Sequence, residues 1–261
     1  MTDYVITSLQ SWDIEIGSTI KNTALEISRK YRVFYVNTPP SLMQWLRDKQ
    51  IRVRKKEKLI HSNLHIIYCH FPAFPASSMP FRWLFNIVNY INNYNIARTV
   101  RKAMQQHQIG HYIHLIDTDV FRSRYLKQLL HPDLSIYYRR DYVIGVDYWK
   151  KYGMECEQAL VQQSDMVITN SSYFTKELKP LNPHIVTTNT GVNLELYNAG
   201  ISHKVPVDLQ PIPSPIIGYT GAIIERRLDS ELLYAVVQQL PECHFVFVGP
   251  EDEYFKKHPL H

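Results

Sequence analysis

Short apolar runs alternate with longer stretches of mixed polarity along most of this chain. Residues 4–8 read as a strand, followed by a loop over 10–19 and a helix from about Lys21 to Lys30 with Ala24, Leu25, Ile27 and Ser28 on its buried side. Arg32 to Asn37 is β-branched and aromatic, a second strand stopped by Thr38, Pro39 and Pro40. A strand–helix–strand of this length is one right-handed crossover, so the sheet is parallel. Leu64 to Cys69 predicts another strand, and Phe71 to Pro80 a proline-rich loop. Leu84, Ile87, Val88 and Ile91 fall at i, i+3, i+4 and i+7, which predicts an amphipathic helix with that stripe inward, running to about Gln106. Strands at 112–116 and 134–138 enclose a helix around 122–130, and a helix over 147–163 leads to strands at 166–169 and 185–188. The alternation predicts an α/β, Rossmann-like, doubly wound parallel sheet.

Pro206, Pro211, Pro213 and Pro215 break the pattern, because proline fixes φ and removes a backbone donor. We therefore expect an N-terminal domain over 1–205, a linker over 206–215, and a second unit over 216–261. The second unit begins with a strand at 216–220, a helix at 230–239 and a strand at 244–248, the opening βαβ of another Rossmann-like domain.

Three stretches repeat one phrasing. Met166 to Thr169 run into Asn170, Ser171 and Ser172. Thr188, Asn189 and Thr190 run into Gly191, with Asn193 at the following bend. Ile216 to Thr220 run into Gly221 and Ala222, then Arg226, Arg227 and Asp229. In this order they resemble the central part of the GT-B glycosyltransferases, family 4 and its relatives. The closest resemblance is to bacterial enzymes of surface-polysaccharide synthesis, including the teichuronic-acid type. Residues 11–19, 24–37 and 137–142 carry the resemblance back into the first half, so it spans residues 3 to 252. It implies a first domain that holds an acceptor and a second that holds a nucleotide-diphosphate sugar. It also implies a pair of glutamates, seven residues apart, that grips the donor; that motif would lie beyond residue 261, so the expectation is a donor domain truncated at its C-terminal side.

Composition changes the picture little. The chain has 261 residues, 45% hydrophobic and 20% charged, as in ordinary globular proteins. The net charge of +5 is concentrated partly in the run from Arg47 to Lys58, with Lys49, Arg52, Arg54, Lys55 and Lys56 between. Such a run is a solvated face, or a contact for anionic headgroups at the surface of a membrane. No helix-turn-helix, zinc or RNA-binding signature accompanies it, so no nucleic-acid partner is expected. Three scattered cysteines argue against a disulfide framework and suit a reducing compartment. No apolar run approaches the ~18 residues of a membrane span, and the N-terminus has no basic, apolar leader; a cytoplasmic protein is expected, with work at the inner face of the cell membrane as the alternative.

Ligands of open α/β sheets bind at the carboxyl ends of strands. Two glycine loops are predicted there, Gly17-Ser18 and Gly221-Ala222; each is either a tight turn or an approach for a phosphate to backbone N–H groups. Gly218 and Gly221 do not complete a dinucleotide fingerprint. In the resemblance, both loops and Arg226 and Arg227 meet the donor diphosphate, with Arg227 at the place of the family's usual lysine and Ala222 where an arginine is common. Asp117 and Asp119 close a strand; Asp117 either caps the next helix or orients a sugar or acceptor hydroxyl. Asp117 and Arg227 are the catalytic candidates. Trp12, Arg139, Arg140, Asp141 and Asn170 are candidates for the acceptor cleft, the charged trio being otherwise a structural ion-pair cluster. No HExxH, GxSxG or Walker spacing occurs, which removes support from hydrolase, metalloenzyme and NTPase readings. The family needs no bound metal, so no cofactor is expected. The expectation is a retaining glycosyltransferase acting on a glycan or lipid-linked acceptor. Its rivals are a non-catalytic acceptor- or partner-binding module, a sugar-nucleotide epimerase, and a peripheral membrane module.

Overall fold

The computed structural model describes residues 2–53, 56–192, 194, 197–198, 200 and 204–261. Arg54, Lys55, Asn193, Glu195 and Leu196 lie outside them. The chain forms two compact units, Met1–Val192 and Asn193–His261. The expected linker, 206–215, falls within the second.

In the first unit the elements follow in the order β1 (Asp3–Ser8), α1 (Thr19–Ser28), β2 (Val33–Val36), α2 (Leu42–Arg47), α3 (Lys49–Val53), β3 (Glu57–His61), β4 (Leu64–Ile67) and α4 (Arg82–Gln106). Then come β5 (Tyr112–Asp117), α5 (Leu126–Leu130), β6 (Leu134–Arg139), α6 (Asp147–Lys150), α7 (Gly153–Gln163), β7 (Met166–Thr169), α8 (Ser172–Leu178) and β8 (Ile185–Thr187). Eight strands make one sheet in the order β3-β4-β2-β1-β5-β6-β7-β8. All neighbours are parallel except β3 on β4, an antiparallel edge. The order turns back at β1, so β1 and β5 flank the switch point where α/β sheets bind ligands. Fully buried residues such as Ile6, Phe34, Tyr35, Ile66, Ile116 and Tyr137 fill both faces of the sheet. Strands buried on both faces read as continuous apolar runs, which is why the sequence exposes them.

The second unit holds β9 (Ile216–Thr220), α9 (Ser230–Gln239) and β10 (His244–Val248). β9 and β10 pair in parallel. Asp229 caps α9 by accepting from the Leu232 N–H at 3.0 Å.

Several expected elements differ. α4 forms, but its predicted stripe only half faces inward: Leu84 and Val88 are half-buried, Val88 packing against the core, while Ile87 and Ile91 are exposed, and the buried face carries Phe85, Asn89, Asn92, Asn93, Ile96, Ala97 and Val100. Two of the asparagines, Asn92 and Asn93, are buried because nearby backbone satisfies them, whereas Asn89 Nδ2 has no hydrogen-bond partner. Asn92 donates to Phe74 O and accepts from Phe74 N, at 2.9 and 2.8 Å. Asn93 donates to Phe121 O at 2.9 Å and accepts from Tyr125 N at 3.0 Å. A buried amide with its bonds made costs little, so the apolar stripe loses the contest for the core. The helix expected over 122–130 shortens to α5. The helix expected over 147–163 breaks at Lys151 and Tyr152 into α6 and α7. The basic run is not one loop or helix but α2, α3 and β3, with Arg47, Lys49, Arg52 and Lys58 exposed.

His114 is fully buried in central strand β5, 3.0 Å from Thr7 Oγ1 through Nε2, with no hydrogen-bond partner for Nδ1. Burial pushes its pKa down to about 3. Above the unfolded imidazole pKa of about 6.5 both states are neutral and its contribution is intact. Below that, only the unfolded chain takes the proton, so stability falls as the pH drops toward 3. Urea unfolding of wild type and His114→Gln, each at pH 7 and pH 5, is expected to show roughly 2 kcal/mol more loss in the wild type. Equal losses would remove His114 from the acid sensitivity.

Candidate functional site

The carboxyl ends of β1, β2 and β4 open into a cavity of about 370 Å³, lined by Ser11, Ile14, Asn37, Gln44, Tyr68 and Cys69 among others. That is large enough for one or two sugar rings, within the usual range for small-ligand pockets. Its wall is tied together by Asn37, just past β2. Asn37 Oδ1 accepts from Ser11 Oγ at 2.9 Å and from Trp12 N at 2.7 Å, and Nδ2 donates to Asp13 at 3.0 Å. Tyr68 Oη donates to the other oxygen of Asp13 at 2.8 Å. Three loops from three strands are thereby joined through two side chains. The Trp12 indole packs edge-on against Tyr35, at 5.1 Å between ring centres. Asn37 and Tyr68 were not singled out in the sequence; being distant in the chain, they leave no local spacing to notice.

The Gly17-Ser18 loop closes this side. Ser18 Oγ caps α1 by accepting from Lys21 N at 3.3 Å. Lys21 Nζ donates to the carbonyls of Ile14 and Ile16, fixing the path of the loop. A Cβ on Gly17 would meet nothing within 4 Å, so the space above it is open.

At the switch point Asp117 is fully buried and every oxygen is engaged. Oδ2 accepts from Ser8 Oγ at 2.7 Å and from Arg140 Nη2 at 2.8 Å, and Oδ1 accepts from Arg140 Nε. The pair is a bidentate fork, the strongest form of carboxylate–guanidinium contact. Burial opposes charge on Arg140, but Asp117 outweighs it and holds the guanidinium above its ordinary pKa. Asp117 does not cap a helix. Asp119 takes that kind of role, accepting from Arg122 N at 3.2 Å and pairing with Arg122 Nε at 2.8 Å. Burial, countered in part by Arg122, raises the pKa of Asp119.

The charged trio after β6 is split by the pleat, since successive residues of a strand point to opposite faces. Arg139 turns inward and is completely buried, paired with Glu157 at 3.0 Å and Glu177 at 2.8 Å and lying 4.3 Å over the Phe174 ring. Arg140 turns to Asp117. Asp141 is exposed, 4.0 Å from Arg140 Nη1. Asn170 follows β7, ahead of Ser171, which caps α8. Cys69 and Cys156 are buried, and burial lifts both thiols to about 11, so neither is a ready nucleophile.

In the second unit Gly221 (φ +156°) and Gly249 (φ +152°) follow β9 and β10. The two backbones lie so close that a Cβ on Gly249 would sit 1.8 Å from Gly221 O. Gly221 N donates to Val248 O at 3.0 Å. Beyond, a turn anchored by Glu225 N on Asp252 at 3.0 Å presents Arg226 and Arg227, both exposed, ahead of the α9 cap. Neither arginine has an ion-pair partner among the described residues.

A mostly parallel sheet with its switch point between β1 and β5, followed along the chain by a second strand–glycine–helix unit, is the arrangement of the GT-B fold, built from two Rossmann-like units. Three solved structures share the fold. The apo structure of OtsA matches with a TM-score of 0.64 at 8% identity, over 99% of this chain and 68% of that one. The E. coli trehalose-6-phosphate structure bound with UDP-2-fluoro glucose matches with a TM-score of 0.64 at 8% identity, over 96% of this chain and 65% of that one. An alpha,alpha-trehalose-phosphate synthase (UDP-forming) from Burkholderia vietnamiensis matches at 0.57 and 9%, over 97% of this chain and 64% of that one. The chain therefore spans about two thirds of the length of these structures, and at such identities the likeness is one of fold. No family model and no curated protein matches the chain in sequence.

Proposed function

We propose that this protein transfers a sugar from a nucleotide-diphosphate donor to a glycan or lipid-linked acceptor, with retention of configuration, in surface-polysaccharide synthesis. In this reading it is kin to family 4 and the teichuronic-acid-type enzymes. The observation that carries the proposal is the fold likeness over nearly the whole chain, which includes a structure holding UDP-2-fluoro glucose. The first unit takes the acceptor in the cavity beside Trp12, Asn37 and Tyr68. In the second unit Arg226 and Arg227, exposed beyond Gly221, meet the oxygens of the donor diphosphate; in the first, the Gly17-Ser18 loop is an approach for a phosphate.

As the donor's C1–O bond breaks, the electron pair goes to the leaving phosphate oxygen. An arginine aimed at that oxygen stabilises the transition state more than the ground state. The acceptor hydroxyl gives its proton to the departing phosphate and bonds to C1. No resident metal or cofactor is called for in these steps. Asp117 holds Arg140 at the crevice floor; Arg139 belongs to the fold rather than to substrate, and Asp141 and Asn170 are left for the acceptor rim.

The test is an assay of the full chain against a panel of nucleotide-diphosphate sugars, with and without glycan and lipid-linked acceptors. Transfer is expected from at least one donor. Arg226→Gln with Arg227→Gln is expected to lower kcat/KM on the order of 10²-fold or more. Nucleotide release that ignores acceptor would favour the epimerase, and an absence of both donor binding and turnover would sink the reading. The exposed Met43, Leu46 and Val53 beside Arg47, Lys49 and Arg52 support a peripheral contact with anionic lipid. That contact is dropped if the chain does not sediment with anionic vesicles. No described helix is long and apolar enough to cross a membrane.

A further inference from the structure

The edge of the sheet away from the switch point brings together three side chains that the reaction above leaves unused. Glu57 on β3, His65 on β4 and His107 at the C-cap of α4 each offer one donor atom, and these atoms all lie within 4.8 Å of one another. Glu57 Oε1 is 2.5 Å from His65 Nδ1, and Oε2 is 2.9 Å from His107 Nε2. Among the described residues this is the single group of three or more such ligands.

The geometry points to a site for one divalent transition-metal ion of the zinc class, held by Glu57, His65 and His107, that staples the β3 edge to the end of α4.

Five features support it. The donor set is right: two imidazoles and a carboxylate suit zinc, cobalt, nickel or copper and leave magnesium and calcium poorly served. The ligands sit on ordered elements. His65 is paired in the middle of β4 with Phe34 and Leu59, and the His107 N–H donates to Ala103 O at 2.9 Å. The rings are oriented: His65 stacks on Phe34 with centres 4.9 Å apart, and His107 leans on the same ring at 5.1 Å. Gln106 Nε2 donates to Glu57 Oε2 at 3.2 Å, a partner of the kind that aligns a ligating carboxylate. Finally, the three side chains keep 12–21% of their surface exposed, so an ion can enter and a water can fill a fourth position.

Without the ion, Glu57 bridges the two imidazoles, Oε1 to His65 and Oε2 to His107. With it, the same ring nitrogens and a carboxylate oxygen would turn to the metal. A small rotation of each side chain brings the donors to the roughly 2.0–2.2 Å radius that zinc requires. The ion would stabilise an antiparallel edge strand whose far side has no neighbour in the sheet.

The experiment titrates ZnCl2 into the chelator-treated chain by calorimetry. Expected is one ion per chain and a higher Tm in the presence of the ion. His65→Asn and His107→Asn are each expected to weaken binding on the order of 10- to 100-fold, and His111→Gln, an exposed histidine elsewhere, to leave it unchanged. Should either asparagine variant fail to fold, Co²⁺ absorption of the wild type decides: visible bands of a four-coordinate nitrogen–oxygen site support the assignment, and the spectrum of hydrated cobalt overturns it. Zinc binding untouched by both substitutions in folded protein also overturns it. None of these readouts depends on sugar transfer.

Discussion

Asp117→Ala is expected to lower the unfolding free energy by about 3–5 kcal/mol, the usual result of removing one member of a buried ion pair. The loss is large because the substitution does more than delete a contact. Arg140 would keep its charge with only 14% of its side chain exposed and without its bidentate acceptor, and Ser8 would lose the oxygen it donates to. An uncompensated buried charge costs more than the pair was worth. The paired change Asp117→Leu with Arg140→Met should therefore restore much of the loss, because it removes both charges together. Chemical denaturation of the three proteins checks this, and a double variant no better than the single one would refute the account. If Arg140 also serves the crevice, the double variant will be stable and impaired in transfer, which separates the two roles.

Gly249→Ala is expected to unfold the second unit while sparing the first. The new methyl group would sit 1.8 Å from Gly221 O, a backbone atom that cannot swing aside. The φ of +152° adds strain of about 1–3 kcal/mol for any residue with a side chain. β9 and β10 form a two-stranded sheet, and such small sheets have little reserve. Limited proteolysis followed by mass spectrometry reads the result: cleavage should be confined to residues after 192, with a resistant first unit. Uniform resistance across the chain would show that the two loops can part more easily than their contact suggests.

Much of the fold was legible because parallel strands and their crossover helices are local patterns. The strand ends at Val36, Asp117 and Arg139 all fell within a residue of where the apolar runs stop. The face of α4 was not legible. Its stripe of Leu84, Ile87, Val88 and Ile91 obeys helical spacing, but the choice between it and the asparagines is made by loop carbonyls and amides that the helix meets only after folding. The candidate site was legible in part. Asp117 and Arg140 drew attention as charges at strand ends, whereas Ser8 lies 109 residues from the aspartate it serves. Arg139 and Arg140 looked equivalent side by side; the strand pleat sends one to the core and the other to the crevice. Glu57, His65 and His107 gave no signal, since separations of 8 and 50 residues match no ligand spacing and only the hairpin and the end of α4 bring them together.

Helix α4 is keyed to its neighbours. Through Asn92 and Asn93 it makes four hydrogen bonds to the backbone of two loops, one around Phe74 and one from Phe121 to Tyr125. Apolar side chains let a helix slide or roll by small steps, because greasy surfaces tolerate many registers. Amide teeth engaged with peptide groups do not, for any slip breaks all four bonds at once and strands their partners. The second of these loops carries Asp119 and Arg122, two residues and five residues past the end of β5, so the place of that ion pair beside the switch point is tied to the seating of a helix whose outer side is exposed.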